Sequence, residues 1–159
     1  MRTWLHDSSV TYPELEIAIL ETATVVASSE AEGHPVSHIF DEHRGPGGTQ
    51  WIAGEPGDQK LILAFHKPVT IRRITLEIEE REVHRTQELQ VSVSSDGGKT
   101  YRELRRQEFN FSPDGTTWEC EDWAVAELNV THVRLVIRPD KGRKEFLAKL
   151  TSFVLADIE

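Results

Sequence analysis

The chain has 159 residues, of which 38% are hydrophobic and 28% charged, and carries a formal net charge of −9. That length suits one domain, residues 1–159, with a core of its own, and the balance excludes a disordered chain. The acidic excess, with a pI near 5.3, disfavours wholesale binding to nucleic acid or to an anionic membrane, because each phosphate contact would need a local cation against an adverse field.

The start, Met1-Arg2-Thr3-Trp4-Leu5-His6-Asp7, lacks the apolar run of a signal peptide. No stretch approaches the roughly 18 apolar residues of a membrane span. Cys120 is the single cysteine, so no intrachain disulfide can form and a cytoplasmic location is expected. Residues 1 to about 22 read as an extension packed on the main body, with short helical turns at Pro13–Leu20 and Pro35–Phe40. Between them and the first clear strand lies a turn-rich loop, Glu42 to Gln50, containing Gly45-Pro46-Gly47-Gly48.

Strand signals then dominate. Leu61-Ile62-Leu63-Ala64-Phe65 predicts a strand buried on both faces. In Val69–Glu80 the apolar parity flips between Val69, Ile71 and Ile74, Leu76, Ile78, with Arg72-Arg73 at the flip. A β-bulge there would keep both apolar sets on the core face. Glu77, Glu79, Glu80 and Glu82, interleaved with Arg81 and Arg85, read as a solvated strand face and turn. Leu89, Val91 and Val93 alternate with Gln90, Ser92 and Ser94, predicting one apolar and one wet face. Val133, Leu135 and Ile137 alternate with His132, Arg134 and Arg138 in the same way, and Leu147–Leu155 forms a last strand.

Several motifs have plain readings. Gly98-Lys99-Thr100 lacks the upstream glycine and following helix of a phosphate loop. Ser94-Ser95-Asp96-Gly97-Gly98-Lys99-Thr100-Tyr101 instead resembles an Asp-box hairpin, a structural turn. The basic clusters Arg105-Arg106 and Lys141-Gly142-Arg143-Lys144 read as solvated turns, and Asn129-Val130-Thr131 as an incidental glycosylation sequon. His34, His38 and His43 read as exposed loop residues, since no regular element presents them together. Cys120, flanked by Glu119, Glu121 and Asp122, reads as structural, because nearby carboxylates disfavour a thiolate. Trp118 and Trp123 lie five apart and cannot share a strand face, so one of them is expected to be exposed.

Ala27-Ser28-Ser29-Glu30, then Val36-Ser37-His38-Ile39-Phe40-Asp41, then Gly48-Thr49-Gln50-Trp51 resembles the opening of the discoidin (F5/8 type C, galactose-binding-domain-like) family. There a strand ending in Ala-Ser leads to an Asp-containing loop and a Thr-x-Trp. Leu61–Phe65, Pro68–Ile74, Leu89–Ser94 and Val133–Val136 fall where that family has its middle and late strands, so the resemblance spans residues 22–156. It implies an all-β antiparallel jelly-roll β-sandwich of about eight strands with a ligand held by loops at one end, and places Trp51 in the core. It further implies calcium in the Asp loop, with Asp41 and Thr49 as contacts, although the carboxylate usual on the final strand is replaced by Ser152.

These readings point to a binding module without catalytic chemistry, whose partner is a protein or a glycan. The expected function is an intracellular protein-interaction domain using the loop end around residues 42–50; the alternative is a carbohydrate-binding module using the same loops. The candidate ligand-binding residues are His43, Arg44 and Gln50 in that loop, Trp118 as an aromatic anchor, and Arg105 and Asn110 within the polar stretch Arg102, Arg105, Arg106, Gln107 and Asn110.

Overall fold

A computed structural model describes residues 15–142 and 145–157. The first fourteen residues of the expected extension, including Trp4 and Pro13, lie outside them, as do Arg143 and Lys144 of the basic cluster. Among the described residues the elements are a helical turn α1 (Ile19–Thr22), β1 (Ala23–Ala27), a 3-10 turn (Val36–Phe40), β2 (Trp51–Ile52), β3 (Gln59–Glu79), β4 (Arg85–Ser94), β5 (Arg102–Phe111), β6 (Trp118–Arg138), β7 (Lys149–Leu150) and β8 (Ser152–Ala156). The strands pair antiparallel in the order β1-β3-β6-β4-β5, with β8 on β3 and a small β2-β7 ribbon. This is the expected all-β antiparallel sandwich.

The two 21-residue strands, β3 and β6, determine the architecture. The first part of β3 pairs with the end of β6, from Gln59↔Ile137 to Ala64↔His132. Its last part pairs with the beginning of β6, from Arg73↔Ala124 to Glu79↔Trp118. Between them the register breaks three times, after Ala64, Val69 and Ile71, and each break bends and twists the pair. One pair of strands therefore contributes to both layers. β1, β4 and β5 extend one layer and β8 the other, over one apolar cluster that includes Leu63, Leu89 and Val133 as well as Ile74, Leu76 and Phe153.

The register breaks where the parity flips, but not by an extra residue at Arg72-Arg73 as expected. Between Ile71↔Glu127 and Arg73↔Ala124, β3 advances two residues and β6 three, so the extra residue sits on β6. Ile71 and Ile74 are both fully buried despite their opposite parity. Trp51 is fully buried and donates its indole N–H to the Ser29 carbonyl at 2.9 Å.

Four readings need correction. Ile62 and Ala64 are only half-buried, so the outer side of Leu61–Phe65 is not a second core face. Ser92 and Ser94 are buried rather than wet; Ser94 Oγ accepts the Gly98 N–H and donates to Asp96, so the Asp-box turn folds over it. The last strand is split at Thr151, where the chain leaves β2 for β3. The Thr151 N–H donates to the Glu77 carbonyl and its hydroxyl accepts from the Glu79 N–H. Neither Trp118 nor Trp123 is exposed: the first is half-buried, and the second is 8% exposed beneath the Arg105 guanidinium.

A buried ion pair ties the turn after β3 to its neighbours. Arg85 donates to Glu80 Oε1 at 2.6 Å and to the carbonyls of Leu147 and Pro139 at 2.7 and 3.1 Å. Glu80 also accepts the Glu82 N–H and faces Lys149 Nζ. Burial pushes the Glu80 carboxyl up. The Glu82 N–H, Lys149 and Arg85 together outweigh it and hold it below its ordinary value.

Breaking one side of such a pair costs about 3–5 kcal/mol, so Glu80→Ala is expected to lower Tm by roughly 6–20 °C. Because the folded value lies below the unfolded one, this contribution is present above the ordinary carboxylate range and fades as pH falls through the folded value. Thermal unfolding of both proteins as a function of pH checks this: the gap should narrow toward acid, and a constant gap would contradict it.

Candidate functional site

The loop after the 3-10 turn is shaped by carboxylates. Asp41 Oδ1 accepts the His43 N–H at 3.0 Å and Oδ2 accepts the Thr49 hydroxyl at 2.7 Å. Burial pushes the Asp41 carboxyl up, but Thr49 and the His43 N–H outweigh it and the net effect is a lowered pKa. Further along, the N–H groups of Gly45 and Gly47 donate to Glu77 Oε1 and Glu79 Oε1 at 3.0 and 2.9 Å. Both glycines have positive φ, which they adopt without strain. At Gly48 a Cβ would lie 2.5 Å from the His43 carbonyl, so no larger residue fits.

Beside this loop, where β3 ends, two small cavities of about 200 and 220 Å³ adjoin and share Glu82 and Lys149. Gln50, Glu79 and Arg81 line one; Arg85, Phe146 and Leu147 line the other. The Phe146 ring is half-buried, its centroid 5.7 Å from the Arg85 guanidinium carbon. Arg81 gives its Nε–H to Glu79 at 2.7 Å and remains largely exposed. Two side-chain atoms on this cleft, Gln50 Oε1 and Arg85 Nε, are buried without a hydrogen-bond partner in the chain; Arg134 Nε is the third such atom among the described residues. A lining that combines an aromatic ring in one cavity with amide and charged side chains in the other suits a polar ligand with an apolar face.

The expected site residues are only partly brought together. Gln50 lines the cleft, and Trp118 stands opposite Glu79 across β3 and β6, on the same sheet face. Arg44 is spent on Glu16, with contacts of 2.9 and 3.3 Å. His43 is exposed, 3.5 Å from Asp41. Arg105 lies over Trp123 on β5, and Asn110 accepts from the Thr86 hydroxyl, so neither lines the cleft. The rest of that polar stretch is engaged locally: Arg102 with Glu127, Arg106 with Glu103, Gln107 with Glu121. His34 and His38 are half-buried rather than exposed, and both Nδ1 atoms point to the Gln50 carbonyl, at 3.3 and 3.2 Å. Cys120 is a surface residue whose thiol is pushed up by local desolvation first, then by Glu77, Asp122 and Glu121.

The acidic run at the end of β3 is where the sequence reading fails most. Glu79, Glu80 and Arg85 are buried, not solvated, because the 42–50 loop and the 145–149 segment close over them. The cleft residues Arg81, Glu82, Arg85, Phe146 and Lys149 were therefore missed. One signal for them exists, the apolar Phe146-Leu147-Ala148 directly after the charged run that ends at Glu145.

The calcium site implied by the resemblance does not fit these residues. Both Asp41 oxygens already accept internal donors, and Thr49 points its hydroxyl hydrogen at Asp41. Ser152, standing where the usual carboxylate would be, donates to Glu77 at 3.0 Å. Glu77 is its cross-strand partner and itself meets an amide N–H. Among the described residues no three His, Cys, Asp or Glu side chains converge as metal ligands. A hard cation needs converging oxygens; here the carboxylates converge on N–H donors.

The sequence matches the F5/8 type C domain over residues 24–149. A search of curated proteins finds no significant match. Among solved structures, a pectin-binding carbohydrate-binding module is 18% identical over 87% of this chain and 92% of its own, with a TM-score of 0.60. A family 32 module of a family 31 glycoside hydrolase from Clostridium perfringens is 13% identical over 91% and 96%, at 0.62. A C. perfringens family 32 module in complex with galactose is 14% identical over 89% and 97%, at 0.58. At these identities the likeness establishes the galactose-binding-like fold.

Calcium should leave Tm unchanged within about a degree relative to EDTA. Glu77→Ala or Glu79→Ala should lower it by roughly 3–12 °C, each removing charge-assisted hydrogen bonds worth about 1.5–3 kcal/mol. Thermal denaturation in both buffers decides: stabilisation by calcium would show that a cation holds the loop.

Proposed function

The chain belongs to the F5/8 type C domain family, and on that premise we propose that it is a non-catalytic carbohydrate-binding module whose site is the cleft between Gln50 and Phe146. The lining of the two adjoining cavities, with Phe146 and Arg85 in one and Gln50 and Arg81 in the other, carries this reading. A sugar ring presents C–H groups on one face and hydroxyls, each both donor and acceptor, around its rim. Such a ligand matches a cleft whose lining combines an aromatic ring with amide and charged side chains. Arg81 and Lys149 at the rim add further donors.

The structural neighbours support this reading, two of them having been described with a pectin or a galactose ligand. They favour it over the intracellular protein-interaction reading, whose contact stretch on β5 is taken up by local ion pairs. The site proposed lies beside the 42–50 loop and not on its outer turn, because Arg44 is committed to Glu16.

A screen against an array of neutral, amino and acidic glycans should give at least one binding saccharide. At 100 times its dissociation constant that ligand stabilises by about 2.7 kcal/mol, a Tm rise of roughly 5–10 °C. Phe146→Ala should weaken binding at least tenfold, and Arg44→Ala with His43→Ala should leave it within about twofold. The reverse pattern would move the site to the outer loop, and a blank array would remove the module reading.

A further inference from the structure

Where β1, β3 and β6 lie side by side, the sheet has a second face that points away from the core. Val26, Ile62 and Arg134 are direct neighbours in one row across the three strands, and Lys60 pairs with Val136 in the next row. Val26 is 57% exposed, Lys60 is exposed, and Ile62 and Val136 are half-buried. The first row continues through Ser92 to Glu103 on β5, but that carboxylate is held by Gln90 and Arg106.

Arg134 is the unusual member of this patch. Among the described residues every other arginine except Arg105 faces a carboxylate, and Arg105 lies over Trp123 on β5. Arg134 faces none. Its guanidinium carbon stands 4.2 Å from the centroid of the Tyr101 ring, and its terminal N–H groups are neither buried nor hydrogen-bonded within the chain. An aromatic ring steadies a guanidinium without using the edge donors that match a carboxylate. Lys60, diagonal to Arg134 across β3 and β6, also has no ion-pair partner. Two unpaired cations thus sit together beside three aliphatic side chains, on a molecule whose net charge is −9.

We infer that this face is a docking surface for an acidic polypeptide segment, one that carries an Asp or Glu carboxylate beside an aliphatic side chain. The carboxylate takes the Arg134 fork with Lys60 as the second cation, and its aliphatic neighbour lies over Val26 and Ile62. An arginine anchor within an apolar patch is where binding energy concentrates at protein interfaces. A saccharide matches less well, because its hydroxyls call for acceptors as well as donors and the patch offers aliphatic groups and two cations. A nucleic acid or other polyanion also matches less well: each further phosphate meets the adverse field of an acidic chain, whereas one carboxylate is neutralised locally. The patch shares no residue with the Phe146 cleft, and the inference stands whether or not that cleft binds a sugar.

Selection of phage-displayed random peptides on the intact protein, followed by fluorescence anisotropy with the enriched peptides, tests this. Enriched peptides should set an Asp or Glu beside Val, Ile or Leu, and changing that acid to its amide should weaken binding about tenfold or more. Arg134→Gln should weaken it equally, and Arg134→Lys, which keeps the charge without the fork, should recover only part of the loss. Lys60→Glu and Val26→Glu alter exposed positions, so they should weaken binding with little change in Tm and keep the test valid if Arg134→Gln disturbs folding. Arg105→Gln, which removes the other unpaired arginine, should leave binding unchanged. No enrichment, or enriched peptides indifferent to Lys60→Glu and Val26→Glu, would overturn the inference. Tighter binding of a single-stranded oligonucleotide or of heparin, lost in the same two variants, would overturn the polypeptide assignment in favour of a polyanion.

Discussion

Three carboxylates close together at the end of a largely buried strand impose the constraint on which the site depends. Glu77, Glu79 and Glu80 leave β3 where the 42–50 loop, the 80–84 turn and the 145–149 segment meet, and a buried charge without donors costs several kcal/mol. The first two find donors on the 42–50 loop, the third on the 80–85 and 145–149 stretches. Glu77 takes the Gly45 N–H and the Ser152 hydroxyl, Glu79 takes the Gly47 N–H and Arg81, and Glu80 takes Arg85, Lys149 and the Glu82 N–H. Three stretches of chain far apart in sequence are thereby fixed to one strand end. The cleft is the space left between them, and its walls are held by charge-assisted bonds rather than by a packed apolar floor.

The bend in β3 and β6 makes that convergence possible. Had either strand run straight, 21 residues would span roughly 70 Å, far beyond one layer of a domain this size, and their ends would lie at opposite poles. Three register breaks fold the pair into both layers, so that Gln59, Glu79, Trp118 and Arg138 share one end of the sandwich. Loops widely separated in sequence, at 42–58, 80–84 and 138–149, are then neighbours.

Most of the fold was legible because alternation records burial directly. Leu89, Val91, Val133, Leu135 and Ile137 show which face is apolar without reference to the rest of the molecule. Even the parity flip at Arg72-Arg73 pointed to the register break, since a strand with two apolar parities must slip to bury both. The site was less legible for the corresponding reason. Whether Glu79 or Arg85 is wet depends on what covers it, and the covering segments lie some 30 to 60 positions away, in Gly45–Gly47 and Leu147–Lys149. Charge in a strand ordinarily means solvent, and here it means a partner that local sequence does not reveal. Gln50 was found because it sits in a glycine loop; Phe146 was passed over because it stands one residue before the apolar stretch read as the last strand.

The exchange of Ser152 and Glu77 shows how one fold can hold the same loop in two ways. A cation gathers a loop through its carbonyl oxygens, whereas a carboxylate gathers it through its N–H groups, and the two require opposite peptide orientations. With Ser152 on the final strand and the Glu77 carboxylate at the paired position on β3, the loop turns its amides inward. Gly45 and Gly47, at φ of 91° and 83°, are the residues that permit this at little cost. The outer turn then projects Arg44 toward Glu16 and away from the cleft. The segments that line the cleft are then Gln50 and the 80–85 and 145–149 stretches, and the hydrogen bonds that hold the loop's amides inward also set which stretches reach it.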